Sequence, residues 1–311
     1  MTQQPASGRG AAKPAFDGSP WPGVRLALPQ GDTATIALQG GQVLSWRTAD
    51  GSERLYQSPL AATDGSRAIR AGVQVCFPQF ANRGPLPKHG LVRIPAWSLV
   101  QGHEGGDRAV LELRDTAATR ALWPHRFQVR IAFTLAPGRL RIDFTAANTG
   151  DEAFDFTMAL HSYLRTQDIA STRLHGLGGD GWFDKVTQTR HPRGVTAPDD
   201  ALAIVGEVDR VYDRLPVGDE LAAADRSLAP LLLTEPRGGL RITQAGSMTE
   251  TVVWNPGAAL CATFDDMPPD GWQSMLCAEA AHVEQPVPLA PGAQWHGWQQ
   301  LEALPASHDP A

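Results

Sequence analysis

Apolar and polar residues alternate with a two-residue period through the middle of the chain. The clearest run is 126–135, RFQVRIAFTL, and the runs 139–146 and 153–166 repeat it after turns at 137–138 and 148–151. Such alternation is typical of antiparallel strands that bury one face of a sheet. The pattern therefore predicts three consecutive strands of a large sheet.

Shorter runs of residues predict further strands. TATIAL (33–38) and VLSWRT (43–48) flank a Gly-Gly pair at 40–41, which is a hairpin signal. Only 116–123 and 220–229 suggest short helices, and 31 glycines and 25 prolines are scattered along the chain. The predicted fold class is therefore all-β, as a sandwich or a variant with large stacked sheets.

The chain is expected to form one domain over residues 23–303, since no linker or repeat divides it. Residues 1–22 and 304–311 are predicted to be tails, because the first is rich in Ala, Gly, Pro and Ser and neither shows periodicity. The N-terminus lacks an apolar signal core, and no apolar run approaches the roughly 18 residues of a membrane span. We expect a cytoplasmic protein without a membrane partner.

Charge is distributed unevenly along the sequence. The whole chain has a net charge of −6, which disfavours general binding of nucleic acid. Residues 65–103 nevertheless contain five basic residues and no acidic one: Arg67, Arg70, Arg83, Lys88 and Arg93. Arginine forks suit a phosphate or a carboxylate, so this Gly- and Pro-rich segment could bind one small anion. The alternative is a solvated basic loop. His89 lies inside the segment and could be catalytic, ligand-orienting or structural.

Two further residues could perform acid–base chemistry. His161 lies on the polar face of the 153–166 run, where it could transfer protons or simply be a hydrogen-bonded surface histidine. Glu279 alternates with apolar residues in 272–283, WQSMLCAEAAHV. Burial there would raise the pKa of its carboxyl group and make it a better base. A strand-edge glutamate that reaches solvent is the alternative.

No sequence signal indicates a cofactor or a metal. The chain has no Walker loop, no GxGxxG, no HExxH and no GxSxG motif, and its histidines show no metal-ligand spacing. The three cysteines suggest neither a disulfide framework nor a zinc site. Nine tryptophans are present, but sequence alone singles out none of them.

Four blocks of sequence together resemble the hexose-6-phosphate mutarotase (glucose-6-phosphate 1-epimerase) branch of the aldose 1-epimerase superfamily. The blocks are IRAGVQVCFPQFANRGPLPKHGLVR (69–93), FTMALHSYLRTQDI (156–169), EVDRVY (207–212) with VVWNP (252–256), and DDMPPDGWQSMLCAEAAHV (265–283) with PLAPGAQWHGWQQL (288–301). The first and last blocks are specific to this branch, whereas the LHSY motif is shared more widely. The resemblance extends from about residue 23 to 303.

The resemblance implies a galactose-mutarotase-like β-supersandwich that binds a sugar on a concave face. It implies His161 as general acid and Glu279 as general base, in a cofactor-independent interconversion of hexose 6-phosphate anomers. It also implies the substrate contacts Arg70, Lys88, His89, Arg93 and Asp209. Lys88 departs from the family pattern, because glutamine or a similar neutral side chain is expected there. A monomer with a small sugar phosphate as its only partner is the expectation.

Two other functions remain open at this point. A mutarotase for free aldoses would use the same acid and base, but it would need no phosphate site. A non-catalytic sugar-binding protein on the same fold would not require His161 and Glu279 together.

Overall fold

The computed structural model describes residues 20–197, 199–214 and 226–305. Its strands are β1 (Gly23–Ala27), β2 (Thr33–Ala37), β3 (Gln42–Arg47), β4 (Val73–Cys76), β5 (Ser98–Gly102), β6 (Arg108–Arg114), β7 (Phe127–Ala136), β8 (Arg139–Asn148), β9 (Phe154–Arg165), β10 (Arg173–His175), β11 (Gly181–Asp184), β12 (Thr189–His191), β13 (Leu202–Ala203), β14 (Val208–Asp213), β15 (Leu231–Glu235), β16 (Gly238–Gln244), β17 (Glu250–Asn255), β18 (Met275–Leu289) and β19 (Gln294–Leu304). The helices are α1 (Ala117–Leu122), α2 (Gly257–Cys261) and a 3-10 turn, Gly271–Ser274.

The strands form two large antiparallel sheets. Sheet I has the order β1-β2-β3-β4-β9-β18-β17-β14-β11-β12, and sheet II has the order β13-β10-β15-β16-β19-β8-β7-β6-β5. Strands β7 and β8 form a hairpin in sheet II, and β9 then crosses to the centre of sheet I. The predicted all-β class and the β-supersandwich are confirmed.

The main hydrophobic core lies between the sheets, and the two-residue period explains its composition. In β9, Phe156, Met158 and Leu160 point into this core, so the alternate residues of the strand lie on the outer face of sheet I. The core side chains of β7 and β8, such as Phe133 and Phe144, alternate in the same way. The three long strands predicted from the pattern are therefore confirmed as strands. Their placement in one sheet is wrong, because β7 and β8 lie in sheet II and β9 pairs with β4 and β18 in sheet I.

Predictions for the shorter elements had mixed outcomes. The hairpin of β2 and β3 is confirmed, and so is a helix within 116–123, which begins with a capping box between Thr116 and Thr119. The helix predicted at 220–229 falls partly outside the described residues, and 226–229 are not helical, because Ser227 forms a bridge with Ala245. Helix α2 and the 3-10 turn were not predicted, since each is too short for a helical period to emerge.

The domain boundaries shift slightly from the predicted ones. Trp21 was assigned to the N-terminal tail, but it is buried against Ala37, Leu44 and Ile69, so the folded domain includes it. At the other end, Leu304 pairs with Gly239 as the last residue of β19. The remaining residues of both predicted tails lie outside the described chain, except the prolines at 20, 22 and 305. Within the described chain, no helix has the length and apolarity needed to cross a membrane.

Candidate active site

A cavity of about 370 Å³ lies on the outer face of sheet I. Strands β4, β9, β14, β17 and β18 contribute side chains to its floor, and the loops at 77–97 and 256–274 complete its walls. All seven residues implied by the family resemblance line this cavity: Arg70, Lys88, His89, Arg93, His161, Asp209 and Glu279. The sheet thus assembles residues that are far apart in the sequence.

Strand register places the predicted acid and base next to each other. On the ladder between β9 and β18, Cys277 pairs with Tyr163 and Ala280 with Leu160. Glu279 therefore lies directly across from His161. The Nδ1 atom of His161 is 3.5 Å from Oε1 of Glu279. Facing residues on adjacent antiparallel strands are held at short, fixed separations, so the backbone itself fixes this pair.

Both members of the pair are buried, with exposed fractions of 6% for His161 and 1% for Glu279. Nδ1 of His161 and Oε2 of Glu279 have no hydrogen-bond partner among the described residues. Buried polar atoms are normally paired, so two unpaired ones on facing residues in one cavity leave positions that a ligand could fill. The geometry therefore favours the catalytic interpretation of both residues over the surface alternatives.

Burial shifts the pKa values of the two groups in opposite directions. The pKa of His161 falls well below 6.5, mainly through burial and also through His89, Arg93, Arg70 and Lys88. The pKa of Glu279 rises well above 4.5, mainly through burial and also through Asp209, while Lys185 opposes the rise. Neutral His161 with protonated Glu279, and protonated His161 with ionised Glu279, each hold one proton and carry no net charge. The pair therefore keeps one proton over a wide pH range.

Aromatic rings fix the orientation of the imidazole of His161. Tyr163 lies two residues further along the same strand face and stacks on it, with centroids 4.7 Å apart and planes at 12°. His89 and Trp254 contact the ring edge-on, at 5.3 Å and 6.0 Å between centroids. The imidazole is therefore enclosed by flat, rigid groups that leave it little freedom to turn.

The loop that carries His89 is tied to the core at its base. The ring of Phe77 packs against Phe156, with centroids 5.2 Å apart, and its carbonyl accepts a hydrogen bond from Leu91 N–H. A side chain at Gly90 would place its Cβ 2.1 Å from that same carbonyl oxygen, so glycine is required there. His89 itself has a φ of +65°, an uncommon conformation for a non-glycine residue that recurs at functional sites.

Hydrogen bonds determine which nitrogen of His89 carries the proton. Ala81 N–H donates to Nδ1 of His89 at 3.3 Å, and the thiol of Cys76 lies 3.1 Å from the same atom. Because Nδ1 accepts, the neutral ring must carry its proton on Nε2. Burial and the nearby Arg93 and Lys88 lower the pKa of His89 to about 2. His89 is therefore a neutral donor rather than a cation.

Most of the positive charge predicted for the segment 65–103 is neutralised by distant carboxylates. Three of its five cations form ion pairs: Arg67 with Asp265 at 2.7 Å, Arg70 with Asp266 at 2.7 Å, and Arg83 with Glu284 at 2.7 Å. Among the described residues, Lys88 and Arg93 are not paired with a carboxylate. The two uncompensated cations of the segment thus both line the cavity.

Arg93 also organises its surroundings. Its guanidinium donates to Oε1 of Gln74 at 2.9 Å and to the carbonyl of Lys88 at 2.7 Å. Gln74 pairs with His161 across β4 and β9. Arg93 thereby links the loop that carries Lys88 to the strand beside the acid–base pair.

Asp209 meets a cation that the sequence analysis did not identify. Nζ of Lys185 lies 2.6 Å from Oδ2 of Asp209, and the backbone N–H of Lys185 donates to the Asp209 carbonyl. Lys185 directly follows β11, in a turn that carries no motif. Nothing in the local sequence could have revealed it, because the contact depends on the pairing of β11 with β14.

Other lining residues were missed although a signal existed. Tyr163 is two residues from His161 and shares its strand face, so the period alone could have identified it. Trp254 lies in one of the blocks that carry the family resemblance, but it was not singled out.

One group of side chains in the described chain could hold a metal ion, and it consists of His161, Cys277 and Glu279.

A larger cavity, of about 660 Å³, lies near the C-terminal end of β9. Its lining includes Arg54, Arg165 and Glu235, but none of the predicted site residues. Size alone would select it, and burial also raises the pKa of its Glu235. The buried pair His161 and Glu279, with its unpaired Nδ1 and Oε2 atoms, lies in the smaller cavity. The smaller cavity is therefore the candidate active site.

The chain is similar to known proteins over most of its length. A family model described as Aldose 1-epimerase matches residues 23–302. A Cenchrus ciliaris protein named "Putative glucose-6-phosphate 1-epimerase" is 32% identical over 285 residues, which cover 88% of this chain and 82% of the relative. An Escherichia coli protein of the same name is 33% identical over 256 residues, which cover 81% of this chain and 80% of the relative.

A solved structure shows the same fold. The crystal structure of a "putative mutarotase" from Salmonella typhimurium superposes with a TM-score of 0.75 at 27% identity, and 88% of each chain is covered. The match of the family model spans both sheets and both residues of the acid–base pair described above. The chain belongs to the aldose 1-epimerase family.

Proposed function

We propose that the protein interconverts the α and β anomers of a hexose 6-phosphate, with glucose 6-phosphate as the first candidate. The observation that carries the proposal is the combination of a buried acid–base pair with two uncompensated cations in one cavity. The names of the two relatives described above support this choice of substrate.

The proposed reaction opens and recloses the hemiacetal ring. Glu279 takes the proton of the C1 hydroxyl, the C1–O5 bond breaks as a C1 carbonyl forms, and His161 gives a proton to O5. Rotation about the C1–C2 bond presents the other face of the carbonyl. Ring closure then reverses both proton transfers and restores the pair. Each positioned acid or base typically contributes about 10²–10⁴-fold.

The structure supports a pair that starts with one proton between its members. Ionised Glu279 with protonated His161 is the form that the first step uses. Burial disfavours two separate charges, but at 3.5 Å the charges attract each other strongly inside a protein. Substrate hydroxyls entering the cavity would stabilise the ionised form further, because they can donate to the carboxylate.

The remaining predicted contacts receive distinct roles in this proposal. Lys88 and Arg93 bind the phosphate, which carries about −1.5 to −2 charges near neutral pH. Asp209, held by Lys185, accepts hydrogen bonds from sugar hydroxyls. His89 donates from Nε2, and Arg70, which is held by Asp266, borders the sugar beside Tyr163.

A mutarotase for free aldoses remains the second candidate. The neutralisation of Arg67, Arg70 and Arg83 favours it, because only part of the predicted positive charge is left to attract a phosphate. Both candidates require the same acid and base, so substrate choice depends on Lys88 and Arg93.

We also propose that the protein acts in the cytoplasm as a monomer, with a small sugar phosphate as its partner. All three cysteines are free and buried, and such thiols are typical of a reducing compartment.

Anomer exchange measured by NMR magnetisation transfer tests the proposal. Glucose 6-phosphate and glucose are compared at equal concentration, each with and without the protein. We expect acceleration confined to the phosphate ester. Equal acceleration of glucose would select the free-aldose mutarotase, and no acceleration of either sugar would overturn both candidates.

A further inference from the structure

A third side chain adjoins the acid–base pair, and the proposed reaction does not use it. Cys277 shares the outer face of β18 with Glu279, and it pairs across the ladder with Tyr163. His161, Cys277 and Glu279 each offer one possible ligand atom, and these nitrogen, sulfur and oxygen atoms all lie within 4.8 Å of one another. We propose that this cluster binds a thiophilic divalent ion such as Zn²⁺ or Cd²⁺, and that the ion inhibits the enzyme.

The three ligand atoms are free to bind such an ion. Nδ1 of His161 and Oε2 of Glu279 are buried without hydrogen-bond partners within the described chain, and the Cys277 thiol is free of any disulfide. The ion can be reached from the cavity, because His161 and Glu279 line it. The cluster thus contains buried groups whose lone pairs are unsatisfied by the protein itself.

The spacing is close to what a tetrahedral ion requires. Zinc binds imidazole nitrogen and carboxylate oxygen at about 2.0–2.2 Å and thiolate sulfur at about 2.3 Å, which puts neighbouring ligands roughly 3.5 Å apart. The observed limit of 4.8 Å means that the atoms must approach by little more than about 1 Å. Rotation of the Cys277 and Glu279 side chains toward the enclosed imidazole of His161 can supply that movement. Three protein ligands leave the fourth position to water or another small ligand.

The charges around the cluster select for soft ions. A thiolate and a carboxylate together balance a divalent ion, so the buried group would be neutral overall. The nearby Arg70, Lys88 and Arg93 repel every cation. Only an ion that forms strong bonds to the three ligands can overcome this repulsion. Mg²⁺ and Ca²⁺ prefer oxygen ligands and gain little from a thiolate, whereas Zn²⁺ and Cd²⁺ do gain from it. On binding, the S–H bond of Cys277 breaks and the His161–Glu279 pair gives up the one proton it holds. Two protons therefore pass to solvent as the metal–sulfur, metal–nitrogen and metal–oxygen bonds form.

Inhibition follows because the ion would occupy the lone pairs that transfer protons. This part of the inference rests on the proposed function, whereas binding of the ion does not. The two parts can therefore be measured separately on the same sample. A cadmium–thiolate bond absorbs in the ultraviolet, which reports binding without any substrate.

The test is a titration of the purified full-length protein with Cd²⁺, followed by ultraviolet absorption and by anomer exchange. We expect a thiolate-to-cadmium band that saturates at one equivalent, at least a tenfold loss of activity, and reversal of both by a chelator. Mg²⁺ at the same concentration should do neither. If anomer exchange is absent even without metal, the proposed function fails while the absorption band still decides the metal site.

Variants identify which residues give rise to the cadmium–thiolate absorption band. Cys277→Ala and the isosteric Cys277→Ser should keep activity within about threefold and lose both the band and the inhibition. Glu279→Gln keeps the thiol but loses one ligand, so its affinity for Cd²⁺ should fall at least tenfold. Cys76→Ala and Cys261→Ala are matched controls that should retain the band. A band that persists in a folded Cys277 variant, or no band in the wild-type protein, would overturn the proposal.

Discussion

Glu279 faces His161 across the central strand pair of sheet I, with Oε1 3.5 Å from Nδ1. The two residues lie far apart in the sequence, on strands that pair only in the folded sheet, so the site exists only there. The two groups are close enough that the protonation of one changes the pKa of the other. This relationship determines several measurable properties of the protein.

The first prediction concerns the pH dependence of turnover. The active pair holds one proton, so activity falls when a second proton binds and when the last proton leaves. Burial lowers the pKa of His161 and raises that of Glu279, which moves the acid limb of kcat well below pH 6.5 and the alkaline limb well above pH 4.5. We expect a broad plateau of kcat between the limbs. An acid limb at or above the ordinary histidine pKa would contradict it.

The second prediction tests the charges around Glu279. Lys185 is the cation that lowers the pKa of this carboxyl group, while Asp209 raises it. Lys185→Gln should therefore move the alkaline limb of kcat to higher pH, because the last proton is held more tightly. Arg83→Gln, which removes a cation paired with Glu284 away from the cavity lining, serves as the control and should leave the limb in place. A shift to lower pH in the Lys185 variant would refute the assignment.

The third prediction concerns stability. A carboxyl group whose pKa is raised on folding costs stability as pH rises from about 4.5 through the raised pKa, because the unfolded chain releases the proton in this range while the folded protein still holds it. Glu279→Gln removes this cost, so the variant should be more stable than the wild type by about 0.5–2 kcal/mol near neutral pH.

Denaturant titrations at several pH values measure this effect. The stability difference between Glu279→Gln and the wild type should grow with pH and approach zero near pH 4.5, where the carboxyl group is largely protonated in the folded state. A difference that shrinks as pH rises would show that Glu279 is stabilised as a charge in the folded protein.

The fourth prediction concerns substrate choice. Lys88→Gln removes one of the two uncompensated cations and restores the neutral residue type that the family resemblance leads us to expect. The KM for glucose 6-phosphate should rise about tenfold, as for the loss of a hydrogen bond to a charged group. Arg67→Gln is the matched control, since Arg67 lines the same cavity but is exposed and paired with Asp265. It should change the KM by less than about threefold.

If Lys88→Gln leaves the KM for the phosphate ester unchanged, Lys88 does not contact the phosphate. Arg93 is a less suitable target for this purpose. Its guanidinium also holds Gln74 and the carbonyl of Lys88, so its removal would disturb the loop as well as the charge.

The two-residue period determines much of this protein's structure, and it could be read from the sequence. It predicted β7, β8 and β9, because each buries one face against the core between the sheets. It also placed His161 opposite the apolar face of β9 and Glu279 among the small apolar residues of β18. The period could not predict the strand register, because the pairing of β9 with β18 depends on contacts between residues that are distant in the sequence.

Long-range ion pairs were hidden for the same reason. The segment 65–103 contains no acid, so its charge count suggested a site for one small anion. Asp265, Asp266 and Glu284 approach it only in the folded protein and neutralise three of its five cations. The metal-ligand cluster was equally invisible, because His161 joins Cys277 and Glu279 across two strands rather than through any sequence spacing.

The most direct test of the account is the rate of anomer exchange of glucose 6-phosphate with wild-type protein and with Glu279→Gln. The substitution keeps shape and hydrogen bonding but removes the base, so substrate binding should persist, as checked by titration of the unreactive analogue 1,5-anhydroglucitol 6-phosphate. We predict clear acceleration by the wild type and a loss of about 10²–10⁴-fold in the variant. Unchanged exchange in the variant would show that Glu279 is not the base.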